Sequence, residues 1–213
     1  VGTTFIDDCQ WDRSAEYTTP VGSTLTHDAA NGYYILSGSA GSYQYSDLKG
    51  ISFGDGFYEV DLAVQTGGIA YLYFPGTTAY RLIVDQSASL IKISEYNSSL
   101  PIVQKSMTIT ANSFYRVGVL RYGTSFKLYI DGVCVGVGTK TTYTNIYGSP
   151  RIRGINASSA VSVKFRNLRF IAASSDSTNG IAACIPPIGG GARYGVEESV
   201  YNTFTTENVN KGV

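Results

Sequence analysis

The chain has 213 residues, which suffice for one well-cored domain and leave no room for a second full domain. Sixteen basic and sixteen acidic residues give a formal net charge of zero, and only 15% of residues are charged. The basic residues are scattered, so the chain lacks the electrostatic footprint of a nucleic-acid-binding protein. No apolar run approaches the length of a membrane span.

Helical periodicity is nearly absent, whereas β-branched and aromatic residues recur in short runs bounded by Gly, Asn, Asp and Pro. This pattern predicts an all-β, antiparallel sandwich. In chain order, the predicted strands are 32–38, 42–45, 57–65, 69–74, 79–85, 90–96, 103–109, 114–122, 125–130, 133–137, 151–155 and 161–171.

From Tyr58 to Leu62 the third predicted strand alternates between apolar and polar side chains. Tyr58, Val60 and Leu62 fall on one face, and Glu59 and Asp61 fall on the other, because successive strand side chains point to opposite sides. We therefore expect a core face and a solvent face.

The clearest predicted hairpin joins the strands 125–130 and 133–137, and its first strand also alternates between the two faces. Phe126, Leu128 and Ile130 share an inward face, and the strand ends in Asp131 and Gly132. An Asp-Gly pair suits the two left-handed positions of a type I′ turn. A tight hairpin is predicted at this point.

The last predicted strand changes phase. Its inward positions include Phe165 and then Leu168, an offset that strict alternation does not allow. One extra residue in a strand produces such an offset, so we predict a β-bulge at Arg166 and Asn167.

Four segments, in their order and spacing, carry a resemblance to a known family: FIDD at 5–8, GFYEVDL at 56–62, FYRVGV at 114–119 running into FKLYIDG at 126–132, and VKFRNLRF at 163–170. Together they resemble the concanavalin A-like lectin/glucanase superfamily, particularly its laminin-G-like branches. The resemblance implies an all-β, two-sheet, antiparallel jelly-roll sandwich over residues 1–172. Residues 173–213 are then predicted to be a linker followed by a C-terminal arm or strand.

The resemblance also bears on catalysis. Glycosidases with this fold use a strand carrying Glu-x-Asp-x-x-Glu, whose same-face carboxylates act as nucleophile, orienter and acid/base. Glu59 and Asp61 match the first two positions, but Ala63, Val64 and Gln65 follow, and none of these can protonate a leaving group. We therefore expect no enzymatic activity, with glycoside hydrolysis as a distant alternative.

A structural calcium ion is a further implication of the resemblance. Many relatives carry an Asp directly before the Asn of the closing strand, and here that position is Arg166. A fixed cation repels Ca²⁺, which prefers six to eight oxygen ligands. We expect no cofactor, with Asp7, Asp8 and Asp12 as the remaining candidates for a different calcium site.

Jelly-roll modules of this family bind glycans on aromatic and polar side chains. Tyr71 and Tyr73 share one face of their predicted strand, Glu59 and Asp61 lie on the expected solvent face, and Arg81 follows on the next strand. Sugar rings stack on aromatic rings, and polar side chains fix their hydroxyls. These five residues form the predicted glycan-binding cluster.

Assembly is the function that the sequence favours most. Low charge removes the repulsion that keeps monomers apart. A Pro- and Gly-rich stretch precedes Val200, Tyr201 and Phe204, whose setting is typical of a strand that adds to a neighbour's open sheet edge. The main hypothesis is a non-catalytic structural surface protein that assembles with copies of itself into a filament, surface layer or spike and could also adhere to surfaces. The alternative is a carbohydrate-binding, lectin-like module.

Cysteines and glycosylation motifs point to an extracellular, cell-surface or virion-surface location. Of the three cysteines, Cys9 and Cys184 are the predicted disulfide pair, which would join the first segment to the tail. Asn97 and Asn156 each begin an Asn-x-Ser triplet and are predicted glycosylation sites in loops.

Overall fold

The computed structural model describes residues 4–76, 78–143 and 146–172. One short 3-10 helix, Ser14–Glu16, and fifteen strands are found there. The strands are β1 (Thr4–Asp7), β2 (Tyr17–Thr18), β3 (Ser23–Asp28), β4 (Tyr33–Gly38), β5 (Gln44–Leu48), β6 (Gly56–Val64), β7 (Gly68–Phe74), β8 (Tyr80–Asp85), β9 (Leu90–Glu95), β10 (Pro101–Ser106), β11 (Tyr115–Tyr122), β12 (Ser125–Ile130), β13 (Val133–Thr139), β14 (Arg151–Asn156) and β15 (Val161–Ala172).

The strands form two antiparallel sheets. The first sheet has the order β13-β12-β11-β6-β15-β4-β3, and β1 pairs with the part of β15 that extends past β4. The second sheet has the order β10-β9-β8-β7-β14-β5-β2. This arrangement confirms the predicted two-sheet jelly-roll sandwich. The predicted arm residues Val200, Tyr201 and Phe204 lie outside the described residues.

The core fills the space between the sheets. Leu62 and Phe165 from the first sheet and Leu72 and Leu82 from the second belong to one continuous buried cluster. Each lies at an alternate strand position, so the period-two pattern of the sequence puts these apolar side chains on the inner faces. Gly154 keeps the layers close, because a Cβ there would lie 2.5 Å from a methyl group of Val163.

The local features predicted from spacing are present. Asp131 and Gly132 have φ values of 50° and 80°, which place both in the left-handed region of a type I′ turn between β12 and β13. In β15 the pairing with β6 shifts register between Arg166 and Arg169, and Asn167 has a φ of 52°. The predicted hairpin and bulge are therefore confirmed.

The expectation of a solvent face on β6 is wrong. All nine residues of this strand are buried, including Glu59 and Asp61. The strand lies in the middle of the first sheet between β11 and β15, and arginines from both neighbours lie against its outward carboxylates. Alternation predicted which side chains point outward but not that neighbouring strands would cover them.

Within the described ranges, no helix is long and apolar enough to cross a membrane.

Candidate functional site

The five residues of the predicted glycan-binding cluster do not lie together. Tyr71 and Tyr73 point outward from β7, and Arg81 points outward from β8, both in the second sheet. Glu59 and Asp61 point outward from β6 in the first sheet. The core separates the two outward faces, so the predicted cluster is wrong in its carboxylates and correct in bringing Tyr71, Tyr73 and Arg81 together.

On the first sheet, both carboxylates are already occupied by basic side chains. Glu59 forms an ion pair with Arg169, its register partner on β15. Asp61 lies 3.2 Å from Arg166 and 3.5 Å from Arg116. Neither carboxylate is presented to a ligand, because each is buried beneath its own partners.

On the second sheet, the outer face carries tyrosines and arginines in register. Tyr45, Arg153 and Tyr71 form one row across β5, β14 and β7. The adjacent row runs through Asp47, Arg151, Tyr73 and Arg81 on β5, β14, β7 and β8. With two flanking tyrosines these residues make up what we call the tyrosine–arginine face: Tyr43, Tyr45, Asp47, Tyr71, Tyr73, Arg81, Tyr96, Arg151 and Arg153.

Arg153 occupies the middle of this face. Its guanidinium carbon lies 3.4 Å from the centre of the Tyr43 ring, and its Nη1 donates a 2.7 Å hydrogen bond to the Tyr73 hydroxyl. Its Nε is buried and has no hydrogen-bond partner within the described residues. The neighbouring Arg151 lies 3.9 Å from the Tyr45 ring centre and forms a two-pronged ion pair with Asp47. Cation–π contacts and hydrogen bonds thus fix both guanidinium groups.

Arg81 extends the face toward β9. Its Nε donates to the Ser94 hydroxyl at 3.1 Å, and its Nη2 donates to the Ser98 carbonyl at 3.1 Å. The guanidinium also lies 5.7 Å from the Tyr71 ring centre. Among the described residues, the partners that hold Arg81 in place are therefore all neutral.

The tyrosines pack against one another before any ligand arrives. Tyr71 contacts Tyr73 with ring centres 5.9 Å apart, and Tyr73 contacts Tyr96 at 5.8 Å. Tyr71 and Tyr73 are buried and form the floor, whereas Tyr43 is 48% exposed. Ordered aromatic rings lose little conformational entropy on binding, which favours their use as a platform.

Burial, as the largest cause, together with the neighbouring Tyr43 and Tyr73 raises the pKa of Tyr71 to about 12. The phenol therefore stays neutral at physiological pH. A neutral hydroxyl can donate as well as accept a hydrogen bond, which suits a hydroxyl-rich ligand.

Six residues of this face were missed by sequence reasoning. One is Tyr96, which follows β9, and the other five come from two distant segments: Tyr43, Tyr45, Asp47, Arg151 and Arg153. They come from segments more than 100 residues apart, since Arg153 pairs with Tyr45 across two strands distant in sequence. A signal was present, because the tyrosines and the arginines are each spaced two apart and so share a strand face.

The calcium candidates do not converge. Within the described ranges, no group of three or more His, Cys, Asp or Glu side chains is placed to hold a metal ion. Asp8 accepts the Gln10 amide at 3.1 Å, and Asp12 accepts the Ser14 amide at 2.8 Å, so both serve local turns. Asp7 is buried and accepts hydrogen bonds from the Cys9 amide and the Tyr17 hydroxyl. These three candidates therefore do not form a calcium site in the described part of the chain.

The two glycosylation motifs differ in accessibility. Asn97 is exposed between β9 and β10, as predicted. Asn156 is instead the last residue of β14 and is buried, with its Nδ2 donating to the Thr66 carbonyl at 2.8 Å. The prediction of an accessible loop site at Asn156 is wrong, because its amide is used to close the end of the strand.

Cys9 is buried and Cys134 is exposed on β13. The Cys9 thiol lies 3.7 Å from the Asp7 carbonyl oxygen. Cys184 lies outside the described residues, so its pairing with Cys9 stays a prediction.

No family model matches the sequence, and no curated protein matches it. Solved structures do match the fold. The carbohydrate binding module CBM66 from Bacillus subtilis has 20% identity and a TM-score of 0.59, covering 74% of this chain and 96% of the module. The Bacillus licheniformis beta-glucanase has 15% identity and a TM-score of 0.62, covering 81% and 99%. A Bacillus subtilis protein of unknown function with a galectin-like fold has 10% identity and a TM-score of 0.63, covering 80% and 96%. The chain therefore shares its two-sheet jelly-roll sandwich fold with these structures.

Proposed function

We propose that this chain is a non-catalytic carbohydrate-binding module that holds its ligand on the tyrosine–arginine face. The observation that carries the proposal is the exposed Tyr43 ring, backed by Arg153 and followed by Tyr45 and Tyr71 in register. Sugars bind through stacking of their apolar ring faces on aromatic side chains and through hydrogen bonds to their hydroxyls. This face offers both kinds of group.

The fold that this chain shares with solved structures also supports carbohydrate binding. Among the structures that match, one is named as a carbohydrate binding module and another as a beta-glucanase. Fold alone does not fix function, since one fold hosts many activities. The proposal therefore depends on the side chains of the face, to which the fold adds a favourable context.

Two features support a role without catalysis. Glycosidases of the two-carboxylate type need their carboxyl groups roughly 5–10 Å apart, on either side of the scissile bond. Among the residues that define the tyrosine–arginine face, Asp47 is the single carboxylate, and it is paired with Arg151. On the opposite sheet, Glu59 and Asp61 are buried under arginines.

Assembly, the main hypothesis from sequence, receives no support from the fold or from the structures that match. The structures named above are a binding module, a glucanase and a protein of unknown function. The alternative hypothesis of carbohydrate binding is the better supported one. An extracellular or surface location remains our proposal, because it is where such a module would meet polysaccharides.

The test is binding of the full chain to a panel of neutral and acidic polysaccharides, by affinity electrophoresis and then titration calorimetry. We expect binding to at least one polysaccharide, and about a tenfold loss of affinity for Tyr43→Ala and for Tyr45→Ala. Tyr33→Ala is the matched control, since Tyr33 lies on β4 of the other sheet and also carries a stacked cation, Lys164.

Three results would overturn the proposal. One is the absence of binding across the panel, and another is an equal loss of affinity for Tyr33→Ala. Release of reducing ends from a bound polysaccharide by the wild-type chain would overturn its non-catalytic part.

A further inference from the structure

The arginines of this protein fall into two groups. Six of those in the described part of the chain form an ion pair with an Asp or Glu: Arg13, Arg116, Arg121, Arg151, Arg166 and Arg169. Arg81 and Arg153 form none there, and both lie on the tyrosine–arginine face. The other six described arginines each contact a carboxylate, with Arg116 and Arg166 sharing Asp61, so the two described arginines without a carboxylate partner both lie on this face.

Neutral partners hold these two arginines without cancelling their charge. Arg153 donates to the Tyr73 hydroxyl, and Arg81 donates to the Ser94 hydroxyl and the Ser98 carbonyl. Orienting a guanidinium with neutral acceptors leaves its positive potential directed outward. Within the part of the chain that the structure describes, the buried Nε of Arg153 also has no hydrogen-bond partner, which is a cost that a stable fold carries most readily at a functional position.

A third cation, Lys92, continues the row that contains Tyr45, Arg153 and Tyr71. Lys92 on β9 is the register partner of Ile83, which in turn pairs with Tyr71. Its neighbours Ile91 and Ile93 point into the core, so Lys92 points outward and forms no ion pair in the described residues. Asp85, the nearest outward carboxylate on β8, already accepts from Ser87 and Ala88.

The three cations lie on three strands of the second sheet, with β7 between the first two. Arg153 is on β14, Arg81 is two strands away on β8, and Lys92 is on the next strand, β9. With neighbouring strands about 4.8 Å apart, they span roughly 15 Å across the sheet. One charged monosaccharide cannot reach all three, whereas a polymer with an anion on successive units can.

We propose that the ligand is an acidic polysaccharide, one that bears carboxylate or sulfate groups and runs across the strands from β14 to β9. This inference rests on the proposed function and narrows it to a ligand class. Arginine binds carboxylate and sulfate groups with strong, charge-assisted hydrogen bonds, while the tyrosines supply the stacking surface. Single-stranded nucleic acid is disfavoured because the face exposes one tyrosine ring widely, rather than the series of exposed rings on which successive bases stack.

The test uses two pairs of polymers that differ only in charge: polygalacturonate against its methyl-esterified form, and dextran sulfate against dextran. We expect the full chain to bind the acidic member of at least one pair at least tenfold more tightly than its neutral form. Which pair responds identifies the anion as carboxylate or sulfate. Raising the salt concentration from 50 to 500 mM is expected to weaken that binding severalfold.

Substitutions of the three cations test whether the acidic polymer binds at the tyrosine–arginine face. Arg153→Gln and Arg81→Gln should each lower affinity for the acidic polymer about tenfold, and Lys92→Gln about threefold. Lys127→Gln is the matched control, because Lys127 points outward from the middle of β12 in the other sheet. If the arginine variants unfold, the salt dependence of the wild-type chain and the Lys92→Gln variant keep the test decisive, since the Lys92 side chain forms no ion pair with the described residues.

The outcomes separate the two proposals. Equal binding of charged and neutral polymers overturns this inference and leaves carbohydrate binding intact. No binding to any polysaccharide overturns the proposed function as well. Tighter binding to oligo(dT) than to either acidic polymer, or an equal loss with Lys127→Gln, also overturns the inference.

Discussion

Glu59 and Arg169 face each other across β6 and β15 and form an ion pair whose side chains are only 5% and 2% exposed. Both point outward from the first sheet, on the side away from the main core. The sandwich therefore buries two opposite charges on its outer face. Such a pair stabilises the fold only while both members are present, because each alone carries a large desolvation cost.

Glu59→Gln is expected to lower the free energy of unfolding by about 3–5 kcal/mol, since it leaves the Arg169 guanidinium buried without its carboxylate. Urea denaturation followed by tryptophan fluorescence or circular dichroism measures the change. The double variant Glu59→Gln with Arg169→Met should recover at least half of the loss, because it removes the stranded charge. A single variant within 0.5 kcal/mol of wild type would contradict the buried ion pair.

Asp7 is predicted to make stability depend on pH. Burial raises the pKa of this carboxyl, and hydrogen bonds from the Cys9 amide and the Tyr17 hydroxyl, with the charge of Arg13, offset the rise only in part. A raised pKa means that the folded state favours the protonated form. Its contribution is present below the ordinary pKa of an Asp and is lost as pH rises through the raised value.

Asp7→Asn removes this titration and keeps an amide oxygen for the Cys9 backbone. We expect the stability of the variant relative to wild type to be higher at pH 7 than at pH 3, as measured by urea unfolding at both values. Asp12→Asn is the control with the opposite sign, because the Ser14 amide lowers the pKa of Asp12. The same trend in both variants would show that burial of Asp7 is not the cause.

Glycosylation should distinguish the two Asn-x-Ser motifs. When the chain is secreted from a host that glycosylates Asn-x-Ser, we expect a glycan at the exposed Asn97 and none at Asn156, which is 1% exposed. Asn156→Gln should cost roughly 2 kcal/mol, because its side chain pairs with the Thr66 carbonyl and with the Ser158 and Ser159 amides. Intact mass and peptide mapping check both sites, and a glycan at Asn156 of the folded protein would contradict the structure.

Local pattern was enough to predict the strands that alternate cleanly and the turns that need special backbone angles. The Asp131–Gly132 turn and the bulge at Asn167 each depend on a few consecutive residues, so their signals lie within one segment. The strands Thr4–Asp7, Tyr17–Thr18 and Ser23–Asp28 were missed. The first two are only four and two residues long, and the third alternates Ser, Thr and His with few apolar residues, so none carries the usual strand signal.

The candidate site was predictable only where it is local. Tyr71, Tyr73 and Arg81 lie on β7 and β8, which are consecutive and paired. Arg153 and Tyr45 join them through the pairing of β14 with β5 and β7, which sequence alternation does not encode. The carboxylates were placed on the wrong face because β6 and β7 are adjacent in sequence but belong to different sheets.

The two described cysteines should differ sharply in reactivity. Burial raises the pKa of the Cys9 thiol well above its ordinary range, whereas Cys134 is exposed on β13. Because the thiolate is the reactive form, iodoacetamide at neutral pH should modify Cys134 in the native protein and spare Cys9 until the chain is unfolded. Peptide mapping by mass spectrometry gives the extent of labelling at each site, and native labelling of Cys9 as fast as Cys134 would contradict its burial.

The same experiment decides the predicted Cys9–Cys184 disulfide. A disulfide-bonded Cys9 is labelled after unfolding only when a reductant is added, whereas a free Cys9 is labelled without it.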